Sequence, residues 1–271
     1  MTTPPRVLVI AGSDSSGGAG IQADIKTITM LGGYAMTAIT AVTAQNTLGV
    51  QAVELLPAEF VLAQIDSCLA DIGADAVKIG MLGSAAIAHA VADRLERLEW
   101  PIVFDPVMVA TSGAVLADED TIAAFRRLMT LATVVTPNLP ELAVLAGTPC
   151  EDEKAVISAA GALARRSGCA ILAKGGHAAG SIVVDVLVEA DERTTKFEDV
   201  RIATDHTHGT GCTLASALAT GLGQGAALRH AVATARRFVR SALEHAPGFG
   251  GGSGPLGHYH KANNFGVLYA G

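Results

Sequence analysis

A short segment rich in glycine, "GTGC", combines Gly209, Thr210, Gly211 and Cys212 in a way that suits phosphate chemistry. Small helix-forming residues follow it, so we predict that a loop turns into a helix here. N–H groups at the start of a helix are unpaired and the helix dipole is positive there, which predicts a hole for a transferring phosphoryl group.

Cys212 stands at the predicted helix start and has two interpretations. The positive field predicts a lowered pKa for its thiol, which would make it a proton acceptor or a hydrogen-bond partner for a substrate hydroxyl. The alternative is a small buried hydrophobe beneath the helix, the usual environment of a free cysteine. Spacing alone favours the second interpretation.

A second glycine-rich segment, "GSDSSGGAGIQAD", follows the first predicted strand. It lacks the spacing of the dinucleotide-binding and Walker fingerprints. It therefore predicts either a tight strand-to-helix turn or a loop in which Gly17, Gly18 and Gly20 let the backbone approach a ligand.

Four polar residues follow other predicted strands. Asp105 closes an apolar strand, where a carboxylate must face a crevice or find a partner. Asn138 and Glu141 have capping-box spacing, and an exposed carboxylate and amide here would also suit a hydrated magnesium ion. Lys174 ends "AILAK" and faces either solvent or a phosphate.

The elements that must position these residues alternate between short apolar blocks and longer helical stretches. The predicted strands are "RVLVIAG", "YAMTAITAV", "AVKIGML", "PIVFDPVM", "TVVTPN" and "AILAKGG", and the predicted helices lie near 20–31, 58–72, 84–98, 118–130, 151–167, 211–224 and 226–245. This alternation predicts a mainly parallel sheet covered on both faces by helices, with an antiparallel hairpin over 181–202 at one edge. Ligands bind outside the carboxyl ends of such strands, so we expect the polar residues to converge there.

Composition limits the class of protein. The chain has 271 residues, half of them hydrophobic, and a single domain over 1–271 is favoured. The net charge of −7 argues against nucleic-acid and anionic-membrane partners. Neither a spanning apolar run nor a secretory signal is evident, so a cytoplasmic protein is expected. The four cysteines form no CxxC pair and are interpreted as free thiols.

Taken together, the motifs resemble the hydroxymethylpyrimidine/phosphomethylpyrimidine kinases of thiamin biosynthesis, which belong to the ribokinase-like superfamily. The resemblance extends end to end and depends on "AGSDSSGGAGIQAD", "TAVTAQNT", "VKIGML", "FDPVMVATSG", "TPNLPE", "AKGGH" and "THGTGC" in this order. It implies an α/β fold, a ribokinase-like three-layer αβα sandwich with a mainly parallel central sheet and an antiparallel edge hairpin. It also implies that Gly209–Gly211 form the anion hole and that Cys212 replaces the aspartate catalytic in most superfamily members.

The same resemblance implies the substrates and the remaining site residues. Gln45 would hydrogen-bond the aminopyrimidine, and Met81 and Val107 would line its apolar part. The residues implied to bind ATP phosphates or magnesium are Asp105, Asn138 and Lys174 for the phosphates, and Asp105 and Glu141 for Mg²⁺. ATP would phosphorylate the hydroxymethylpyrimidine and then its monophosphate, and relatives suggest a homodimer.

Two alternative functions remain open, and the chain differs from the family's usual sequence at two positions. A pyridoxal kinase would share the fold and the cysteine, and a silent pyrimidine-binding module is the rival from another class. The chain has Ser15 where the family usually has proline and His206 where it commonly has asparagine, and Asp24 has no assigned role. The spacing of His258 and His260 mimics a metal site, but their glycine-rich tail, predicted to be irregular, lacks acidic neighbours.

Overall fold

The computed structural model describes residues 3–109, 113, 116–178 and 180–260. Its strands are β1 Arg6–Asp14, β2 Tyr34–Asn46, β3 Gly49–Leu55, β4 Ala76–Ile79, β5 Ile102–Phe104, β6 Val134–Val135, β7 Ala170–Ala173, β8 Ile182–Val188 and β9 Thr194–Val200. Its helices are α1 Gly20–Met30, α2 Ala58–Asp71, α3 Ala85–Leu95, α4 Glu119–Leu131, α5 Leu139–Ala146, α6 Glu153–Ser167, α7 Thr210–Gly223 and α8 Leu228–Glu244, with a 3-10 turn at Gly175–His177.

All nine strands form one sheet in the order β3-β2-β1-β4-β5-β6-β7-β8-β9. The pairs from β2 to β7 are parallel, and the β8–β9 hairpin joins one edge in antiparallel orientation, which confirms the predicted arrangement. The sequence pattern did not reveal β3, which pairs antiparallel with β2 at the other edge. No residue of β3 is buried, so the strand lacks the alternation of buried and exposed residues that identifies strands in sequence.

Apolar side chains of β1 leave the sheet alternately on its two faces. Leu8 and Ile10 join the core cluster that packs α2 to α6 against one face. Val7 and Val9 join the cluster beneath α1, α7 and α8 on the other face. Helices therefore cover both faces of the sheet, as predicted, and form the outer layers of a three-layer α/β fold.

Two helix starts at the carboxyl edge of the sheet position the candidate site. Asn138 caps α5, and α7 begins directly after Gly209, whose φ of 87° is left-handed. The described part of the glycine-rich tail, 247–260, has only a bridge between His208 and Pro255 and a 3-10 turn over 258–260, while 261–271 lie outside the described residues. No helix among the described residues is long and apolar enough to span a membrane.

Candidate active site

One large cavity lies at the carboxyl edge of the parallel strands and has a volume of about 910 Å³. It is lined by every residue proposed from sequence for the site, namely Gln45, Met81, Asp105, Val107, Asn138, Glu141, Lys174, Gly209, Thr210, Gly211 and Cys212. The ends of separate strands and the start of α7 contribute these residues. The fold thus brings together residues far apart in sequence, while their individual roles remain predictions.

Asp105 and Lys174 form an ion pair in this cavity. Lys174 Nζ lies 2.7 Å from Asp105 Oδ1, which also accepts a hydrogen bond from Thr136. A Cβ added to Gly211 would lie 3.3 Å from both Asp105 Oδ2 and Lys174 Nζ, so the start of α7 faces the pair directly. Lys174 points into the site rather than to solvent, and Asp105 has the partner its burial requires.

The capping box at the start of α5 is present. Asn138 Oδ1 accepts from the Glu141 N–H at 2.9 Å, and Glu141 Oε2 accepts from the Asn138 N–H at 2.8 Å. The expectation of an exposed carboxylate is wrong, because Glu141 is only 6% exposed. Burial raises the pKa of Glu141 to about 7, although the Lys174 charge acts in the opposite direction. A cation arriving here would therefore compete with a proton.

The two glycine-rich segments interlock. A Cβ at Gly209 would lie 1.9 Å from the Gly18 carbonyl oxygen, and one at Gly18 would lie 2.4 Å from His208 Cδ2. A Cβ at Gly20 would lie 2.4 Å from the Gly12 carbonyl oxygen. At Gly18 and Gly20, glycine therefore permits close packing of the protein's own segments, as the tight-turn interpretation expects, and Gly20 also lines the cavity.

Asp14 and His208 connect the interlocked segments, although no sequence pattern indicated a role for either residue. His208 Nε2 donates to Asp14 Oδ2 at 2.8 Å, and the same oxygen accepts from the N–H groups of Gly18 and Ala19. Burial opposes ionisation of Asp14, but hydrogen bonds from His208, Ser16 and the backbone outweigh it and lower its pKa to about 2. A carboxylate therefore holds the first glycine loop against the start of α7.

Cys212 lies where predicted, yet the expectation of a lowered pKa is wrong. Burial raises the pKa of its thiol to about 11, against the opposing charge of Lys78 and a backbone hydrogen bond from Gly20. The charges of Asp24 and Asp105 raise the pKa further. Burial and the two carboxylates thus outweigh Lys78 and the Gly20 N–H, and the group is a thiol at neutral pH.

Gln45 is oriented by contacts at both ends of the residue. Its backbone exchanges two hydrogen bonds with the Ser15 hydroxyl, so Ser15 ties the glycine loop to the end of β2. Its side-chain oxygen accepts from Thr43 Oγ1 at 3.1 Å, and its amide nitrogen lies 3.4 Å from His208 Nε2. The carboxamide is thereby held at the cavity wall.

His206 does not contribute to the cavity wall. A Cβ at Gly254 would lie 2.2 Å from His206 Nδ1, so the ring packs directly against the glycine-rich tail. The histidine that replaces the family's common asparagine is therefore accommodated between loops.

Lys78 and Asp24 also belong to this region and were missed as site residues. Lys78 lines the cavity and forms an ion pair with Asp24, and both side chains are fully buried. The sequence contained an indication that Lys78 has a special position, because it is the one charged residue in the apolar strand "AVKI". Its partner on α1 could not be identified from sequence because 54 positions separate the two residues.

Known proteins similar to this chain agree on its family. A family profile described as "Phosphomethylpyrimidine kinase" matches residues 14–257. The hydroxymethylpyrimidine/phosphomethylpyrimidine kinase of Streptomyces coelicolor is 47% identical over 257 residues, which cover 94% of this chain and 95% of that protein.

Two other similar proteins extend this comparison. The thiamine biosynthesis bifunctional protein ThiED of Geobacter sulfurreducens is 46% identical over 93% of this chain, which spans about half of that longer protein (52%). The solved structure of Staphylococcus aureus pyridoxal kinase with AMP-PCP and pyridoxal has a TM-score of 0.87 at 32% identity, covering 95% of this chain and 94% of that one. By profile and by identity, the chain belongs to the phosphomethylpyrimidine kinase family.

Proposed function

We propose that this chain transfers the γ-phosphoryl group of ATP to the hydroxymethyl oxygen of 4-amino-5-hydroxymethyl-2-methylpyrimidine, and then to the resulting monophosphate, in thiamin biosynthesis. The observation that carries the proposal is the juxtaposition of a glycine-framed helix start with the Asp105–Lys174 pair inside one cavity of a chain of this family. That combination provides N–H groups and an ammonium for phosphate at one point.

The acceptor pyrimidine occupies the end of the cavity near Gln45. The Gln45 carboxamide offers one donor and one acceptor to the ring nitrogen and exocyclic amine, and the Thr43 hydroxyl holds its oxygen in position. Met81 and Val107 supply apolar contacts to the ring. In this pose the hydroxymethyl group points towards Cys212 and the start of α7.

ATP phosphates occupy the other side of the same helix start. Lys174 and the N–H groups of Gly209–Gly211 would receive the negative charge that develops on the transferred group, and Asn138 borders this region. Such a loose transition state demands positioning and charge stabilisation more than covalent chemistry from the protein.

Magnesium fits this donor set as an ion bound largely through phosphate and water. Among the described residues no group of three potential metal-binding side chains converges, and Mg²⁺ commonly uses only one or two carboxylates beside substrate phosphates. Asp105 and Glu141 would provide those carboxylates, and the pKa of about 7 leaves Glu141 able to lose its proton. The ion would neutralise phosphate charge during transfer.

Cys212 acts as a hydrogen-bonding thiol rather than as a thiolate base. In each transfer a bond forms between the acceptor oxygen and the γ-phosphorus while the bridging bond to the β-phosphate breaks. In the first transfer the hydroxyl proton passes, as this bond forms, to an oxygen of the transferred phosphoryl group, whereas the ionised monophosphate has no hydroxyl proton to lose. A thiol with a pKa of about 11 orients the acceptor oxygen without taking that proton.

Pyridoxal kinase activity is the second candidate, favoured by the TM-score of 0.87 to the Staphylococcus aureus enzyme. The 47% identity to the Streptomyces coelicolor pyrimidine kinase, against 32% to the pyridoxal kinase, supports the pyrimidine as principal substrate. A silent binding module is disfavoured by the paired Asp105 and Lys174 beside the helix start.

The proposal also covers the domain organisation, location, partners and assembly of the chain. The chain acts as one ribokinase-like kinase domain in the cytoplasm, with small molecules rather than nucleic acid or membrane as partners. It assembles as a homodimer through the edge formed by β2, β3 and the start of α2, where Val42, Leu48, Val53, Leu55 and Phe60 expose apolar surface.

The proposed function predicts that one purified protein performs both phosphorylations. With the hydroxymethylpyrimidine, excess ATP and Mg²⁺, phosphorus NMR should show monophosphate accumulating before diphosphate, because the larger acceptor must rebind in a shifted pose. Authentic monophosphate should also be a substrate, and pyridoxal should have a lower kcat/KM. Formation of monophosphate alone, or a preference for pyridoxal, would contradict the assignment.

Gln45→Leu should weaken binding of the hydroxymethylpyrimidine by about 1–3 kcal/mol, because polar groups of the ring lose their partners in a closed pocket. Isothermal titration calorimetry measures the change. Gln51→Leu is the matched control, since Gln51 is exposed on β3 and should leave the affinity unchanged. Equal affinities for the wild type and Gln45→Leu would place the pyrimidine elsewhere.

Cys212→Ala should lower kcat by roughly 10²-fold, because the acceptor oxygen loses its positioning contact, while KM for ATP changes little. Cys68→Ala on α2 is the control, and its kcat should match the wild type. An unchanged kcat in folded Cys212→Ala would return the thiol to a packing role.

Alkylation of Cys212 tests its protonation state independently. Because its pKa is raised to about 11, the thiolate fraction and the iodoacetamide rate should climb continuously from pH 7 to pH 10, as followed by peptide mass spectrometry. A plateau near pH 7 would identify a thiolate and restore the role of general base.

A further inference from the structure

A fully buried ion pair lies beneath the acceptor end of the cavity, and no role assigned above uses it. Lys78 Nζ on β4 lies 3.0 and 2.9 Å from the two carboxylate oxygens of Asp24 on α1. Ser216 Oγ on α7 donates to Asp24 Oδ1 at 2.6 Å. Three elements around the cavity therefore meet at one buried charge pair.

Stability alone is a poor explanation for this pair. Removing two charges from water costs several kcal/mol per ion, and well-packed apolar residues of similar volume are often as stable or more stable. Both side chains are completely buried, so no solvent reduces that cost. The position of the pair relative to the site is thus the informative observation.

Lys78 lies on the site side of the pair. It lines the cavity, and a Cβ at Gly80 would lie only 2.8 Å from its Nζ, so glycine at that position leaves room for the ammonium. Asp24 lies one turn into α1, beyond Gly20, whose backbone N–H hydrogen-bonds Cys212. Ser216 lies one turn beyond Cys212 on α7.

The charge of Lys78 reaches the reacting end of the cavity. Its ammonium opposes the burial that raises the pKa of Cys212, and this effect is larger than the opposite effect of Asp24. Burial acts against the charge of Lys78, but the carboxylates of Asp24 and Asp105 outweigh it and raise the pKa of the lysine. At Cys212 the pair consequently acts as a dipole whose positive end faces the site.

We propose that Lys78 is a positioning residue whose ammonium, fixed by Asp24 and Ser216, favours an anionic acceptor beside Cys212. The inference rests on the proposed function and deepens it, because the two acceptors differ in charge: the hydroxymethyl group is neutral and the monophosphate is anionic. A fixed positive potential beneath the acceptor assists the second phosphorylation more than the first. Lys78 thereby lets one site serve both steps.

The test compares the wild type with the neutral pair Asp24→Asn/Lys78→Met, which approximately preserves volume and keeps a side-chain oxygen at position 24 that can accept from Ser216. For each protein, kcat/KM is measured with the hydroxymethylpyrimidine and with the monophosphate at saturating ATP and Mg²⁺. The ratio of kcat/KM for the monophosphate to kcat/KM for the hydroxymethylpyrimidine should fall on the order of tenfold in the double variant, because the anionic acceptor loses more than the neutral one. KM for ATP should stay within about twofold.

A control separates charge from packing. Thr220→Val alters a fully buried side chain one turn beyond Ser216 on the same helix and should leave the ratio of the two constants unchanged. Calorimetry without ATP gives a second readout, because the double variant should lose more affinity for the anionic monophosphate than for the neutral pyrimidine. Equal losses for both acceptors, or no loss for either, would overturn the inference and leave the pair a packing role.

Three further outcomes are decisive. If the double variant does not fold by circular dichroism, Ser216→Ala replaces it, since losing one hydrogen bond to Asp24 should lower the ratio in the same direction, and an unchanged ratio overturns the inference. A wild type that rejects the monophosphate overturns the proposed function together with the inference. A wild type that accepts both acceptors, with an unchanged ratio in the variants, overturns the inference alone.

Discussion

The hydrogen bond between His208 and Asp14 is the contact on which the site geometry depends. It joins the last residue of β1 to the residue before Gly209, and the segments on the two sides need glycine where they approach each other. Gly18 leaves space for the His208 ring, and Gly209 leaves space for the Gly18 carbonyl. The direction of the α7 start is therefore fixed by a loop that is nearly two hundred positions away (194 for the hydrogen-bonded pair).

This constraint explains how a site built from loops and helix ends can be rigid. The pKa of about 2 keeps Asp14 ionised across the physiological range, so its hydrogen bonds to the loop N–H groups persist. His208 also lies beside the Gln45 amide, so it stands between the proposed acceptor pocket and the proposed anion hole. Phosphoryl transfer depends on such positioning more than on covalent catalysis by side chains.

Much of the architecture was predictable because it depends on local patterns. The alternation of apolar blocks with helical stretches indicated the parallel sheet, and strand ends located the polar residues that line the cavity. Strand β3 was not predicted, because none of its residues is buried. Its position is defined by pairing with β2 rather than by its own sequence pattern.

The electrostatics of the site was less predictable, since burial is a property of the folded chain. A helix start correctly placed Cys212, but desolvation reverses the direction expected for its pKa. Glu141 was expected at an exposed mouth and is buried. The partners of Lys78 and of Asp14 lie far away in sequence, and no spacing rule connects such residues.

The most direct test of the interlock is the kcat of Gly209→Ala compared with that of Gly225→Ala. Both glycines have left-handed φ values, 87° and 80°, so alanine strains the backbone similarly, but an added Cβ meets the Gly18 carbonyl at Gly209 and open space at Gly225. We predict that Gly209→Ala remains folded and loses roughly 10²-fold or more in kcat, while Gly225→Ala retains nearly wild-type kcat. Wild-type kcat in Gly209→Ala would contradict the central role of the interlock.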